Sequence, residues 1–330
     1  MKPTKKPKLL PWDQCLKNHV ALKIAYLGYK FDVSFTQGLA IQDNTKNTVE
    51  EHLFAALKRA HLIEDRKTCN YSRCGRTDKG VSAFGNVVSV ELRSRAGHPQ
   101  GDYYYPAIIN KMLPKQIRVT HIAYVPHYFD ARFSCLYREY RYFFLPGSMH
   151  LDKMQEAANK FVGLHDFRNF CKVDPENNKS FERRVLSCEV RLEEGMGVVV
   201  IKGLSFLWHQ VRCMMGCLFL VGKGLEEPEL IDKMLDVELT PSKPHYDMAS
   251  ETGLVLYNCA FEGLEWTQSP ENTQRVYWNF KEIYSRYLLK TTMVSCLLSS
   301  LSPHELEQPT SKKRKVYTAH KPILSRTKQL

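Results

Sequence analysis

Apolar and polar positions alternate from Val20 to Tyr26, with Gly28 just beyond, which predicts a strand with one face in a core. Thr48 and Glu51 stand at capping-box spacing, and Val49, Leu53, Leu57 and Ala60 follow at helical intervals, so a capped helix is expected there. Val88, Val90 and Leu92 share one face of a strand over 86–92, and 118–125 and 138–145 read as further strands. Residues 151–162 form an amphipathic helix with Leu151, Met154, Ala158, Phe161 and Val162 on its buried side. The second half repeats this grammar. A hairpin over 185–192 and 197–203 turns at Glu193-Glu194-Gly195, and a long apolar helix from about 207 to 221 ends at Gly222 and Gly224. Pro228 opens a shorter helix over 229–235, 254–261 is the last strand, and 278–289 is one more helix. Strands mixed with helices without strict alternation predict an α+β fold. The parallel between the halves predicts two related units sharing a sheet. The expected organisation is a basic tail (1–18), an N-terminal half (19–130), a C-terminal half (131–263) and an extension (264–330), disordered over 300–330.

Composition narrows the function. With 43% hydrophobic and 25% charged residues, the 330-residue chain has material for a core and is not mainly disordered. The longest apolar run, residues 213–222, is half of what a membrane span needs, and the N-terminus lacks the apolar stretch of a secretory signal. Ten cysteines in such a chain read as reduced thiols. Cys69-x₄-Cys74 and Cys213-x₃-Cys217 match no zinc spacing, nor does His209 beside Cys213, so no metal is expected. No glycine-rich phosphate loop appears, so no nucleotide cofactor is expected either. The net charge is +12, and eleven of those charges sit in residues 1–18 and 311–330. Basic tails of this kind draw in a polyanion such as nucleic acid without reading its sequence. Residues 312–316, Lys-Lys-Arg-Lys-Val, also have the form of a nuclear import signal.

The segment Cys74-Gly-Arg-Thr-Asp-Lys-Gly-Val-Ser-Ala-Phe-Gly85 concentrates chemistry. Gly75 and Gly80 bracket Arg76, Asp78 and Lys79, and glycines there permit positive φ and close approach of a bulky ligand. Taken alone, the same residues are compatible with a surface turn in which Asp78 caps a helix or joins a weak ion pair. Tyr140 shares a strand face with Tyr142 and Phe144 and could be core, and Arg212 could be a helix-surface charge.

The segment resembles the signature of the tRNA pseudouridine synthases of the bacterial TruA type, which reads Gly-Arg-Thr-Asp-x-Gly-Val-x-Ala. Further blocks extend the resemblance in order over roughly residues 20–262: the helix at 47–57, Ala131-Arg-Phe-Ser134, Tyr140-Arg-Tyr142, Gly163-x-His-Asp-Phe167 and His209-Gln-Val-Arg-Cys-Met-Met-Gly216. Cys74, Ser82-Ala-Phe84 and His165-Asp-Phe-Arg-Asn169 are most similar to the eukaryotic branch that acts at tRNA positions 38 and 39. The loop from Gly28 to Gln37 departs from the family pattern.

The resemblance implies two ferredoxin-like halves sharing a mainly antiparallel sheet, with a basic catalytic cleft between them. It implies Asp78 as catalytic nucleophile or base, an ionised carboxylate suited to attack or deprotonate the sugar. Arg212 would face Asp78 across the cleft and orient it. Arg76 would fill the space left by the flipped base, and Tyr140 would stack on the uracil. It further implies no cofactor, a homodimer, tRNA as partner, and residence in nucleus or cytoplasm. The alternatives are a non-catalytic tRNA-binding protein or folding chaperone on the same scaffold, or a synthase acting elsewhere on tRNA.

Overall fold

The computed structural model describes residues 11–28, 38–40, 47–97, 99, 102–172, 180–301 and 320–326. Strand β1 (Lys17–Tyr26) leads to helix α1 (Val49–Arg59), where the Thr48 side chain accepts the Glu51 N–H at 3.2 Å as a capping box requires. Then come β2 (Ser72–Arg73), β3 (Ser82–Arg93), α2 (Tyr105–Asn110) and β4 (Ile117–Tyr124). The second half runs β5 (Cys135–Phe144), α3 (Leu151–Asn159), β6 (Gly163–Asp166), β7 (Glu182–Glu193), β8 (Met196–Gly203), α4 (Gln210–Gly222), α5 (Leu230–Leu235) and β9 (Leu254–Phe261). Helix α6 (Pro270–Ser300) follows, capped by the Ser269 side chain and started by Pro270.

Among the described residues, all nine strands lie in one sheet of order β4-β1-β3-β9-β5-β8-β7-β6, with β2 beside β3. Every pairing is antiparallel except β3 with β9, where Ser82 faces Val255 and Ala83 faces Leu256. The expected α+β class is therefore observed. The order β4-β1-β3-β2 in the first half matches β9-β5-β8-β7 in the second, so the two halves join through the parallel β3–β9 contact.

Two apolar cores follow the same division. One packs α1 and α2 against β1, β3 and β4; the other packs α3, α4 and α5 against β5, β7 and β8. Tyr140 on β5 touches both, and Val81, just before β3, inserts into the second. The seam between the halves is thus also where the loop preceding β3 is held.

Some expectations are revised. Helix α6 extends well beyond 278–289, because its few buried residues, Asn272 and Ile283, give almost no apolar stripe to read. The extension was expected to be disordered over 300–330, but within it residues 320–326 dock on the second half. Ile323 is fully buried, and its N–H donates to Glu226 Oε1 at 2.6 Å. Residues 302–319 and 327–330, the import-type run included, lie outside the described residues, as does 29–37 of the atypical loop. No helix among the described residues is long and apolar enough to cross a membrane.

Candidate active site

The loop 74–81 is built from below by the N-terminal half. The Cys74 N–H donates to the Val87 carbonyl at 2.8 Å. The buried Asn86 side chain then takes both backbone groups of Gly75: Oδ1 accepts its N–H at 3.2 Å, and Nδ2 donates to its carbonyl at 3.0 Å. Asn86 Nδ2 also reaches the hydroxyl of fully buried Tyr26, which bonds Thr77 Oγ1 at 2.7 Å. The Thr77 carbonyl accepts the Leu39 N–H. On the far side of the loop, the Gly28 N–H donates to Ser82 Oγ at 2.9 Å. A Cβ on Gly28 would stand 2.1 Å from the Val81 carbonyl, so only glycine lets the chain pass beneath the loop. Every backbone anchor on either side of Asp78 is therefore buried and bonded.

Above the loop opens a cleft of about 1150 Å³ between the halves. Its walls carry nine Lys or Arg residues and two carboxylates, Asp78 and Asp130. The net charge of the middle of the chain, nearly balanced in sequence, is thus segregated in space. Some of these cations are committed. Arg73 and Arg66 pair with the buried Glu50, which also accepts from the Tyr71 hydroxyl. Buried Arg138 donates to the carbonyls of Leu204, Cys74 and Arg132, tying β5 to the loop and to the turn before it. Arg76 and Lys79 remain exposed beside Asp78, and Lys172 lies over the Trp208 ring at 4.7 Å.

The two carboxylates differ in occupation. Asp130 Oδ1 accepts the backbone N–H groups of Arg132 and Phe133 and so closes its own turn. Asp78 is held by a side chain from the other half: His209 Nε2 lies 3.3 Å from Oδ2. His209 caps α4 in the left-handed conformation (φ 62°), uncommon for a residue with a Cβ. Burial pushes its imidazole below the ordinary 6.5, against the pull of the Asp78 charge, and Arg212, Lys172 and Lys243 add to the lowering. The ring is therefore neutral near pH 7. Nε2 is the ring nitrogen that faces the carboxylate, and Nδ1 is buried without a hydrogen-bond partner among the described residues.

All four residues expected at the site, Arg76, Asp78, Tyr140 and Arg212, line this one cleft. Tyr140 sits edge-on to Phe206 with ring centroids 5.2 Å apart, so it is both packed in the seam and open to the cleft. No ion pair joins Arg212 to Asp78 among the described residues. The Arg212 guanidinium donates to the Ala249 carbonyl at 2.8 Å and to Glu251 at 2.9 Å, while His209 occupies the position beside Asp78. The physical reason is the left-handed turn at His209, which swings that ring toward the loop one turn ahead of Arg212. Sequence reasoning gave no site role to His209, Arg138 or Asn86. His209 opens the block 209–216 and was weighed only as a metal ligand, and the other two act through contacts that no spacing reveals.

A family profile described as tRNA pseudouridine synthase matches residues 157–262, which take in the second half of this cleft. The chain is 33% identical over 287 residues to tRNA pseudouridine synthase A of Methanosarcina acetivorans, covering 87% of this chain and 99% of that one. It belongs to the tRNA pseudouridine synthase family. It is also 44% identical to the bovine tRNA pseudouridine(38/39) synthase, over 86% of this chain and 64% of that protein. The Saccharomyces cerevisiae protein of the same name is 39% identical, over 81% and 63%. The chain therefore spans somewhat less than two thirds of the length of these eukaryotic relatives.

Proposed function

We propose that this family member converts uridine to pseudouridine in the anticodon stem-loop of tRNA, at positions 38 and 39, the sites printed in the names of its eukaryotic relatives. The observation that carries this reading is Asp78: the one cleft carboxylate not spent on its own turn, set among cations on a loop anchored on both sides. The reaction breaks the C1′–N1 bond, turns the uracil and joins C1′ to C5; C5 gives up its proton and N1 takes one up, so composition does not change. Asp78 supplies the carboxylate that attacks or deprotonates the sugar, and His209, whose Nε2 approaches it to 3.3 Å, orients it. Arg76, exposed at the cleft, is free to enter the stack when the target base leaves it, a step that costs a few kcal/mol. Tyr140 offers a face to the flipped uracil, where stacking contributes about 1–3 kcal/mol. Lys79, Arg132, Lys172 and Arg183 give the phosphates a positively charged wall.

The repeated strand order supports reading each half as ferredoxin-like, with the cleft at their junction. A homodimer is also part of this reading, and the exposed Trp278, Tyr284, Leu289, Met293 and Val294 along α6 favour an apolar partner surface. Residence in nucleus or cytoplasm completes the proposal. The test is chemical mapping of pseudouridine on unmodified tRNA transcripts incubated with the purified protein. New signal at positions 38 and 39 supports it. Signal elsewhere moves the site of action, and tight binding without any signal favours a tRNA chaperone.

A further inference from the structure

Three cysteines far apart in the chain meet behind the Asp78 loop. Cys74 leads into that loop, Cys135 opens β5, and Cys259 lies on β9 opposite Arg138. Their sulfurs all lie within 4.8 Å of one another; Cys74 and Cys259 are buried, and Cys135 is half-buried. A disulfide would use two of these thiols and strand the third, whereas three sulfurs around one point make the donor set of a thiophilic cation. Zinc–thiolate bonds of about 2.3 Å set sulfurs about 3.8–4.0 Å apart, so a contraction of less than about 1 Å closes the site.

Charge selects the ion. Three thiolates around a divalent cation leave one net negative charge, and the buried Arg138 guanidinium lies within electrostatic reach of all three sulfurs. A monovalent ion would leave a second negative charge uncompensated in the interior. Cys135 is the least buried of the three, and a fourth position on a tetrahedral ion would be left for water. We propose that Cys74, Cys135 and Cys259 form a three-thiolate site for one divalent thiophilic cation of the zinc class. When filled, it ties the start of the Asp78 loop to β5 and β9.

The experiment titrates the reduced, metal-free full chain with Cd²⁺ and follows the ultraviolet thiolate-to-cadmium band. The band should saturate at one ion per chain. Affinity should fall by at least about tenfold in Cys135→Ser and in Cys259→Ser, and stay unchanged in Cys296→Ser on the exposed face of α6. If the cluster variants fail to fold, the wild type still decides. Bound cadmium should shield Cys74, Cys135 and Cys259 from alkylation, read by peptide mass spectrometry, while Cys296 labels freely. Absence of the band, its persistence in both cluster variants, or equal alkylation with and without cadmium would overturn the site. So would a disulfide formed between two of these thiols under hydrogen peroxide in a protein that takes up no cadmium.

Discussion

Replacing Asn86 by Ala tests how the Asp78 loop is held. Asn86 is 1% exposed, and its amide satisfies both the N–H and the carbonyl of Gly75, itself buried. Truncation to Ala leaves those two backbone groups in the interior without partners. Each orphaned group costs about 1–3 kcal/mol, so the variant should lose roughly 2–6 kcal/mol, a large part of a typical domain's stability. The Tyr26 hydroxyl keeps Thr77 as partner and adds little. Urea unfolding followed by circular dichroism should show a lower midpoint with an unchanged slope. At low temperature, where the variant remains folded, turnover should fall more than tRNA affinity, because the loop carries Asp78 while most cleft cations stand on other elements. A midpoint shift equivalent to less than about 0.5 kcal/mol with normal turnover would refute the reasoning, since water would then satisfy Gly75 as well as Asn86 does.

His209→Ala should lower turnover by about 10–150-fold, the equivalent of one hydrogen bond to a charged group, with little change in tRNA affinity. His209→Gln should recover part of it, and equal activity in all three proteins would remove the histidine from the mechanism. Because burial holds His209 below 6.5, the wild-type pH–rate profile should have its acid limb below that value. Gly80→Ala places a Cβ 2.4 Å from Glu251 Cγ at φ 83°; melting should show a loss of about 1–2 kcal/mol from backbone strain alone. Adding Glu251→Ala should relieve the clash and leave that strain. Burial lowers the proton affinity of His19, His52, His121 and His209, so the unfolded chain takes up protons first as pH falls. Their contribution is intact above 6.5 and is lost below it, and urea midpoints should drop between about pH 7.5 and about pH 5.5. A flat response would mean that these rings are not buried as described.

Most of the sheet could be read along the chain because its strands carry period-two apolar faces, and helix α1 could be read because it carries a side-chain cap. The turn at Glu194 and Gly195 (φ 48° and 80°) forms where the sequence indicates it. Strands β2 and β6 and helix α2 were not read, being only two, four and six residues long with no repeated apolar face to mark them. Helix α6 was legible only in its middle, because it buries so little. At the site, Arg76, Asp78, Tyr140 and Arg212 were recognisable through motif context, and one cleft gathers them. The partner of Asp78 was not, because a left-handed turn at His209 decides which side chain reaches the carboxylate. Nor could spacing reveal that Cys74, Cys135 and Cys259 converge, since register across β5 and β9 brings them together. The basic tails dominate the charge count in sequence, yet the cleft holds nine cations that the balanced middle concealed.

The central claim is that Asp78 carries the chemistry of a cleft whose cations carry the binding. Asp78→Asn, assayed beside wild type for pseudouridine formation and for tRNA affinity, tests it most directly. Turnover should fall by at least about 10²–10⁴-fold, while the dissociation constant stays within about threefold, because the carboxylate adds nothing to phosphate affinity. Undiminished conversion of uridine by Asp78→Asn would contradict the account.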